Sequence, residues 1–187
     1  DELIPSGETS SYRSNPLRLS EFALSRKDPQ YVPRAKAIQA EERKRRSGED
    51  TDALLGHDPK TTGLGSFIMA LKPGDGSARE QAASCQRVLG GCANLCAEFA
   101  TKRYRSNVVN WGMLPFQAPD VKDWNIQPGD RLYIPGVRAA LERGDETISA
   151  VLLQNGHEKP VTLTLPGITE EERAIILAGC LINYYAK

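Results

Sequence analysis

The residues best placed to do chemistry lie in one run, Lys72-Pro73-Gly74-Asp75-Gly76-Ser77-Ala78-Arg79-Glu80-Gln81. The apolar stretch Ser66 to Leu71 precedes it and reads as a buried strand, and a helical pattern follows it as far as about Leu89. Gly74 and Gly76 turn the chain between the two. A helix that starts at such a turn presents unpaired N–H groups and the positive end of its dipole. Ser77 adds a hydroxyl and Arg79 a planar fork of donors, which suits a carboxylate or phosphate. Ser77 with Glu80 three residues later also reads as a capping box, a structural use of the same residues. A Walker phosphate loop does not fit, because no Lys follows Gly76. A serine nucleophile elbow needs GxSxG, which Ala78-Arg79 does not supply. Spacing alone leaves two readings open: an activated serine at a carboxylate site, and a helix cap beside a solvated arginine.

Other residues with chemical potential are less convincing. Cys85, Cys92 and Cys96 invite a metal reading, but zinc and iron–sulfur sites favour tighter pairs such as CxxC. Ala93-Asn94-Leu95 between two of them looks like a buried strand, so these thiols are expected to be structural. His157 follows the turn dipeptide Asn155-Gly156 and His57 lies in a polar linker; neither has a catalytic partner nearby in sequence.

The elements that must position the glycine-rich run can be read around it. Residues 1 to about 63 form a polar amino-terminal loop and helical segment, and 64–187 an ordered core. In the first part a helix is expected after Ser14-Asn15, with Pro16 in its first position. A second spans Tyr31 to Arg46, ending in a mixed charge run that reads as a solvated face. In the second part, Gly90-Gly91 closes the helix after Ser77. A strand over Ala93–Ala97, a helix over Phe99–Trp111 and an extended piece at Met113–Phe116 follow. Then come a strand at Asp130–Ile134, a helix at Val137–Arg143 and a hairpin of Thr147–Leu153 with Val161–Leu165. A last helix, capped at Thr169, carries Ile175, Ile176, Cys180, Leu181 and Tyr184. Strands alternating with helices predict a mixed α/β fold.

Composition narrows the function. Lys+Arg and Asp+Glu both number 24 in the 187 residues, so there is no cationic surplus for nucleic acid. Apolar stretches are too short to span a bilayer, and no charged-then-apolar leader opens the chain. With 40% hydrophobic residues the chain needs no disulfides, so reduced thiols and a cytoplasmic location are expected. The first residue, Asp1, reads as the interior of something longer.

Gly76-Ser77-Ala78-Arg79-Glu80 resembles the GSSRE motif of the aconitase and isopropylmalate isomerase superfamily. Leu89-Gly90-Gly91 is similar to that family's LGGRAII segment, and Phe99 through Asn107 to Trp111-Gly112-Met113-Leu114-Pro115 to its SFARI…N…GLLP run. Asp1 to Arg13 resembles the TDHIS…FRG region. The order of all four motifs is kept. The resemblance implies a swivelling β/β/α carboxy-terminal domain of a hydro-lyase acting on a hydroxy di- or tricarboxylic acid. It implies Ser77 as the base, Arg79 and Arg13 as carboxylate clamps, and Gly76 and Ala78 in the substrate-binding loop. It implies a [4Fe–4S] cluster held by domains outside this chain, or by a large subunit if the chain is a free-standing small subunit. The fragment alone would then be inactive. Ala78, Gln81, Glu98 and Cys92 stand where the family commonly has Ser, His, Ser and Arg, which points to a divergent member rather than citrate aconitase itself. A non-catalytic anion-binding module is the remaining alternative.

Overall fold

The computed structural model describes residues 2–5, 7–49 and 56–186. Asp1 therefore lies outside the described residues, as does part of the expected linker. Contacts divide the chain into two compact units. One holds the residues up to Phe67 together with Asp75–Cys92; the other holds Ile68–Gly74 and Ala93–Lys187.

In the first unit, helix α1 (Pro16–Ser20) starts as the sequence predicts: Asn15 caps it by accepting from the Arg18 N–H, and Pro16 takes its first position. Leu19 is buried, whereas Leu17 faces outward. Helix α2 (Tyr31–Arg46) buries Tyr31, Val32 and Ala35. Its closing charge run is not wholly a solvated face, which corrects the sequence expectation. The Arg45 side chain is only 2% exposed; it pairs with Glu42 at 2.9 Å and donates to the Thr62 carbonyl. Glu42 also accepts from Arg46 at 2.8 Å and from the Leu64 N–H at 3.2 Å. One carboxylate thus joins the end of α2 to the chain entering strand β1 (Ser66–Ala70).

Helix α3 (Arg79–Val88) packs against α1 and buries Ala82, Ala83, Cys85 and Gln86. The sequence places the N-cap at Ser77, and the structure begins the helix one residue later. The N-cap is Ala78, without a side-chain cap, and Ser77 stands one residue further out. The glycine turn runs one residue longer than the spacing of Ser77 and Glu80 suggests. At the other end Gly90 adopts φ +82°, which closes the helix as expected.

The sheet has six strands in the order β1-β2-β3-β6-β5-β4. Strand β2 (Gly91–Cys96) runs parallel to β3 (Leu114–Gln117), with Leu95 opposite Phe116. Between them lies α4 (Lys102–Asn110), shorter than the expected Phe99–Trp111. Thr101 caps it, and Ala97, Glu98 and Ala100 instead donate backbone bonds to Leu71 and Pro73, just past the end of β1. Strand β4 (Arg131–Tyr133) pairs antiparallel with β5 (Thr147–Gln154), after the short helix α5 (Val137–Arg143).

Strand β6 (His157–Thr164) pairs with β5 along its whole length, so the hairpin is longer than predicted, and exposed His157 is its first residue rather than a loop residue. Asn155 (φ 49°) and Gly156 (φ 76°) form its two-residue turn. Towards β3 the register of β6 consists of the pair Gln117 and Thr164, and Pro160 sits well away from it. The final helical region is two helices, α6 (Glu170–Ala178) and α7 (Leu181–Tyr185). Gly179 at φ +94° separates them, where the apolar spacing alone predicted one helix.

Candidate active site

The chemistry-bearing run begins where β1 ends, and its first half belongs to the second unit. Leu71 accepts backbone bonds from Ala97 and Glu98, and Lys72 pairs with Glu98 at 2.6 Å. Pro73 accepts from the Ala100 N–H at 2.9 Å, and Gly74 accepts from the Thr101 hydroxyl at 3.0 Å. Gly74 has φ +98°, a conformation that side chains resist. A Cβ there would lie 2.4–2.5 Å from the Cβ, Cγ and Cδ1 of Tyr104. The Tyr104 ring is fully buried, and its hydroxyl donates to Asn94 at 2.6 Å.

The second half of the run belongs to the first unit. Ser77 is exposed, Gly76 and Ala78 are partly covered, and half-buried Arg79 is the first residue of α3. Glu80 places a negative charge in the first turn, where the helix dipole favours it. The structure thus gathers Gly76, Ser77, Ala78 and Arg79 at one helix start. Arg13 lies elsewhere in the same unit, exposed at the end of the 3₁₀ turn Ser10–Tyr12. Three residues past it the chain enters α1, which packs on α3. The Arg13 segment is itself pinned by Tyr12, whose ring stacks on Phe22 at 5.4 Å and lies under Arg18 at 5.3 Å.

The cysteines do not form a metal centre with their neighbours. Among the described residues no three His, Cys, Asp or Glu side chains converge as metal ligands. Burial pushes the Cys85 and Cys96 thiols up to about 12, as expected of structural thiols in a core. These residues do not fit an iron–sulfur cluster. Among the described residues no helix is long and apolar enough to cross a membrane.

Sequence reasoning missed the Thr101–Tyr104–Asn94 group around Gly74. Its one local signal was Thr101 as a possible helix cap; the contact with Gly74 spans 27 residues and leaves no periodic trace.

The mixed sheet with its helices is the fold of the aconitase swivel domain. A 3-isopropylmalate dehydratase (leuD) of Methanocaldococcus jannaschii superposes with a TM-score of 0.56 at 20% identity, covering 100% of this chain and 84% of that one. Residues 34–121 match the aconitase C-terminal domain family, a stretch that includes Gly76 to Arg79 but not Arg13. Over 118 residues, 61% of this chain, it is 30% identical to an Aspergillus fumigatus protein named as a mitochondrial aconitate hydratase. The chain spans 14% of that relative's length. Over residues 34–121, a little under half of the chain, it is thus similar to the aconitase C-terminal domain family.

Proposed function

We propose that this chain is the carboxy-terminal, substrate-closing domain of a hydro-lyase that adds water to, or removes it from, a hydroxy di- or tricarboxylic acid. The observation that carries this reading is the arrangement at the start of α3: an exposed serine two residues ahead of an arginine that opens the helix. In this role Ser77 takes the proton from the carbon beside a carboxylate. A serine hydroxyl is a weak base unless its anion is stabilised. The N–H groups of the first turn of α3 and the Arg79 guanidinium supply that stabilisation. Arg79 and Arg13 grip carboxylates through paired N–H donors and hold the acid in its reactive pose. The glycine at 76 and the small side chain at 78 let the substrate approach the backbone.

The Lewis acid of the reaction is a [4Fe–4S] cluster, assigned here to domains outside this chain. Those domains are either part of the same polypeptide or a separate large subunit. The 14% share of the hydratase relative favours the first, and the 84% share of the isopropylmalate dehydratase chain supports the second as an alternative. The fragment is inactive by itself under either arrangement. A cytoplasmic setting follows from the reduced-thiol argument, with the relative's mitochondrial name as the competing location; fractionation decides between them.

The test is Ser77→Ala in the full-length protein, assayed against a panel of hydroxy acids and their unsaturated counterparts. Turnover should fall about 10²–10⁴-fold, the range for loss of a general base, with substrate affinity nearly unchanged. Equal losses in turnover and affinity would mean that Ser77 is structural. Affinity unmoved by Arg13→Ala and Arg79→Ala would argue for a vestigial, non-catalytic module.

A further inference from the structure

We propose that Thr101 and Tyr104 are positioning residues for the proposed base, holding the backbone of Gly74 in the conformation from which the chain runs on to Ser77. The inference rests on the reading of Ser77 given above. Four observations in the second unit carry it. Gly74 stands at φ +98°, outside the range of other residue types. Its carbonyl accepts from the Thr101 hydroxyl at 3.0 Å, and the Thr101 hydroxyl oxygen in turn accepts from the Tyr104 N–H at 3.2 Å. One hydroxyl therefore ties the start of α4 to the glycine turn. The Tyr104 side chain lies against the Cα face of Gly74, closely enough that a Cβ would come within 2.4 Å of its ring. That ring cannot retreat: it is fully buried, and its hydroxyl is anchored on buried Asn94 at 2.6 Å.

Neighbouring bonds extend the hold. The Ala100 N–H reaches Pro73, the Ala97 and Glu98 N–H groups reach Leu71, and Lys72 pairs with Glu98. Every residue from 71 to 74 is thus fastened to the segment that leads into α4. Asp75 and Gly76 lie between this stretch and Ser77 in sequence. A base must sit within a few tenths of an ångström of its productive position, so a catalytic loop needs such support from rigid elements. A cap for α4 alone would require the Thr101 oxygen as acceptor; the bond to Gly74 additionally uses its proton.

This difference provides the test. Thr101→Asp keeps an acceptor for the Tyr104 N–H, so α4 stays capped, but an ionised carboxylate has no proton for the Gly74 carbonyl. Thr101→Ser keeps both bonds. In the full-length protein with its cluster, using citrate or 3-isopropylmalate as the probe, Thr101→Asp should lower kcat about tenfold or more, with KM within about twofold and Tm preserved. Thr101→Ser should restore kcat. If Thr101→Asp does not fold, Thr101→Val, which also loses the cap of α4, is measured in its place; its kcat should fall further than its loss of Tm accounts for, with KM within about twofold. A folded variant with wild-type kcat, or one in which kcat falls only in step with Tm, overturns the inference. Ser77→Ala is run alongside. Its inactivity together with a fully active Thr101→Asp overturns the positioning role alone. Full activity of Ser77→Ala overturns the reading of the site, and the positioning role with it.

Discussion

The packing of Tyr104 against Gly74 can be measured separately from backbone strain, because the chain contains a matched control. Gly74 and Gly129 share φ +98°, yet a Cβ at Gly129 would meet nothing within 4 Å, whereas one at Gly74 would overlap Tyr104 at 2.4–2.5 Å. Gly129→Ala should therefore cost only the strain of a side chain at positive φ, about 1–2 kcal/mol. Gly74→Ala should cost that and an overpacking cost of about 1–3 kcal/mol, because Tyr104 meets the new methyl with its backbone-tethered Cβ as well as its ring. The quantity to read is the difference between the two variants, which removes the strain they share. Urea unfolding of the 187-residue chain, followed by circular dichroism, gives both values from the midpoints, provided the slopes stay equal. A difference below about 0.5 kcal/mol, within the usual error of additivity, would refute the close approach of Tyr104 to Gly74.

The remaining predictions concern the second unit and the thiols. Arg105 holds Glu172 through two bonds of 2.7 and 3.2 Å, with the two side chains only 15% and 21% exposed. Burial by itself would raise the Glu172 carboxyl, but the Arg105 guanidinium and the Thr169 N–H outweigh it and hold it below the ordinary 4.5. The stability this carboxylate contributes is complete above that ordinary value and is lost as pH falls through the lower folded one. Arg105→Met should cost about 1–3 kcal/mol at pH 7 and flatten the loss of stability below pH 5; an acid limb as steep as wild type would count against the pair. Cys85 and Cys96, buried and with thiols pushed up to about 12, should resist an aromatic disulfide reagent at neutral pH until urea is added, while Cys92, at the surface although burial of its sulfur raises its thiol too, reacts first. Labelling of Cys96 in the folded chain would place β2 at the surface.

Local signals were legible and contextual ones were not. Asn15-Pro16 and Asn155-Gly156 each dictate backbone shape within two residues, and α1 and the β5–β6 turn appear where those pairs predict. The candidate run was legible for the same reason, being contiguous in sequence. The start of α3 was set one residue early because cap spacing says which residues suit a helix start, not where the preceding glycine turn releases the chain; α3 waits until Arg79. Arg45 carries the same charge as its neighbours in the run, and only the fold reveals that it alone turns inward to Glu42 and Thr62. Gly179 was passed over because apolar spacing on both sides of it continues a helical period through a residue at φ +94°. The hold on Gly74 depends on residues 27 and 30 positions away, beyond the reach of any pattern within one element.

The loose join between β3 and β6 has a consequence for solubility. From His157 up to the residue before Thr164 no register with β3 is formed, so the outward backbone of β6 there is a potential docking rail for a stray strand of another molecule. The four residues along the distal part are His157, Glu158, Lys159 and Pro160, all exposed. A proline offers no N–H to an incoming strand, and charges of both signs beside it oppose burial. Replacing Lys159 and Pro160 by valine would leave folding intact while inviting fibrous self-association, visible as thioflavin-positive aggregates at concentrations where the native chain stays clear.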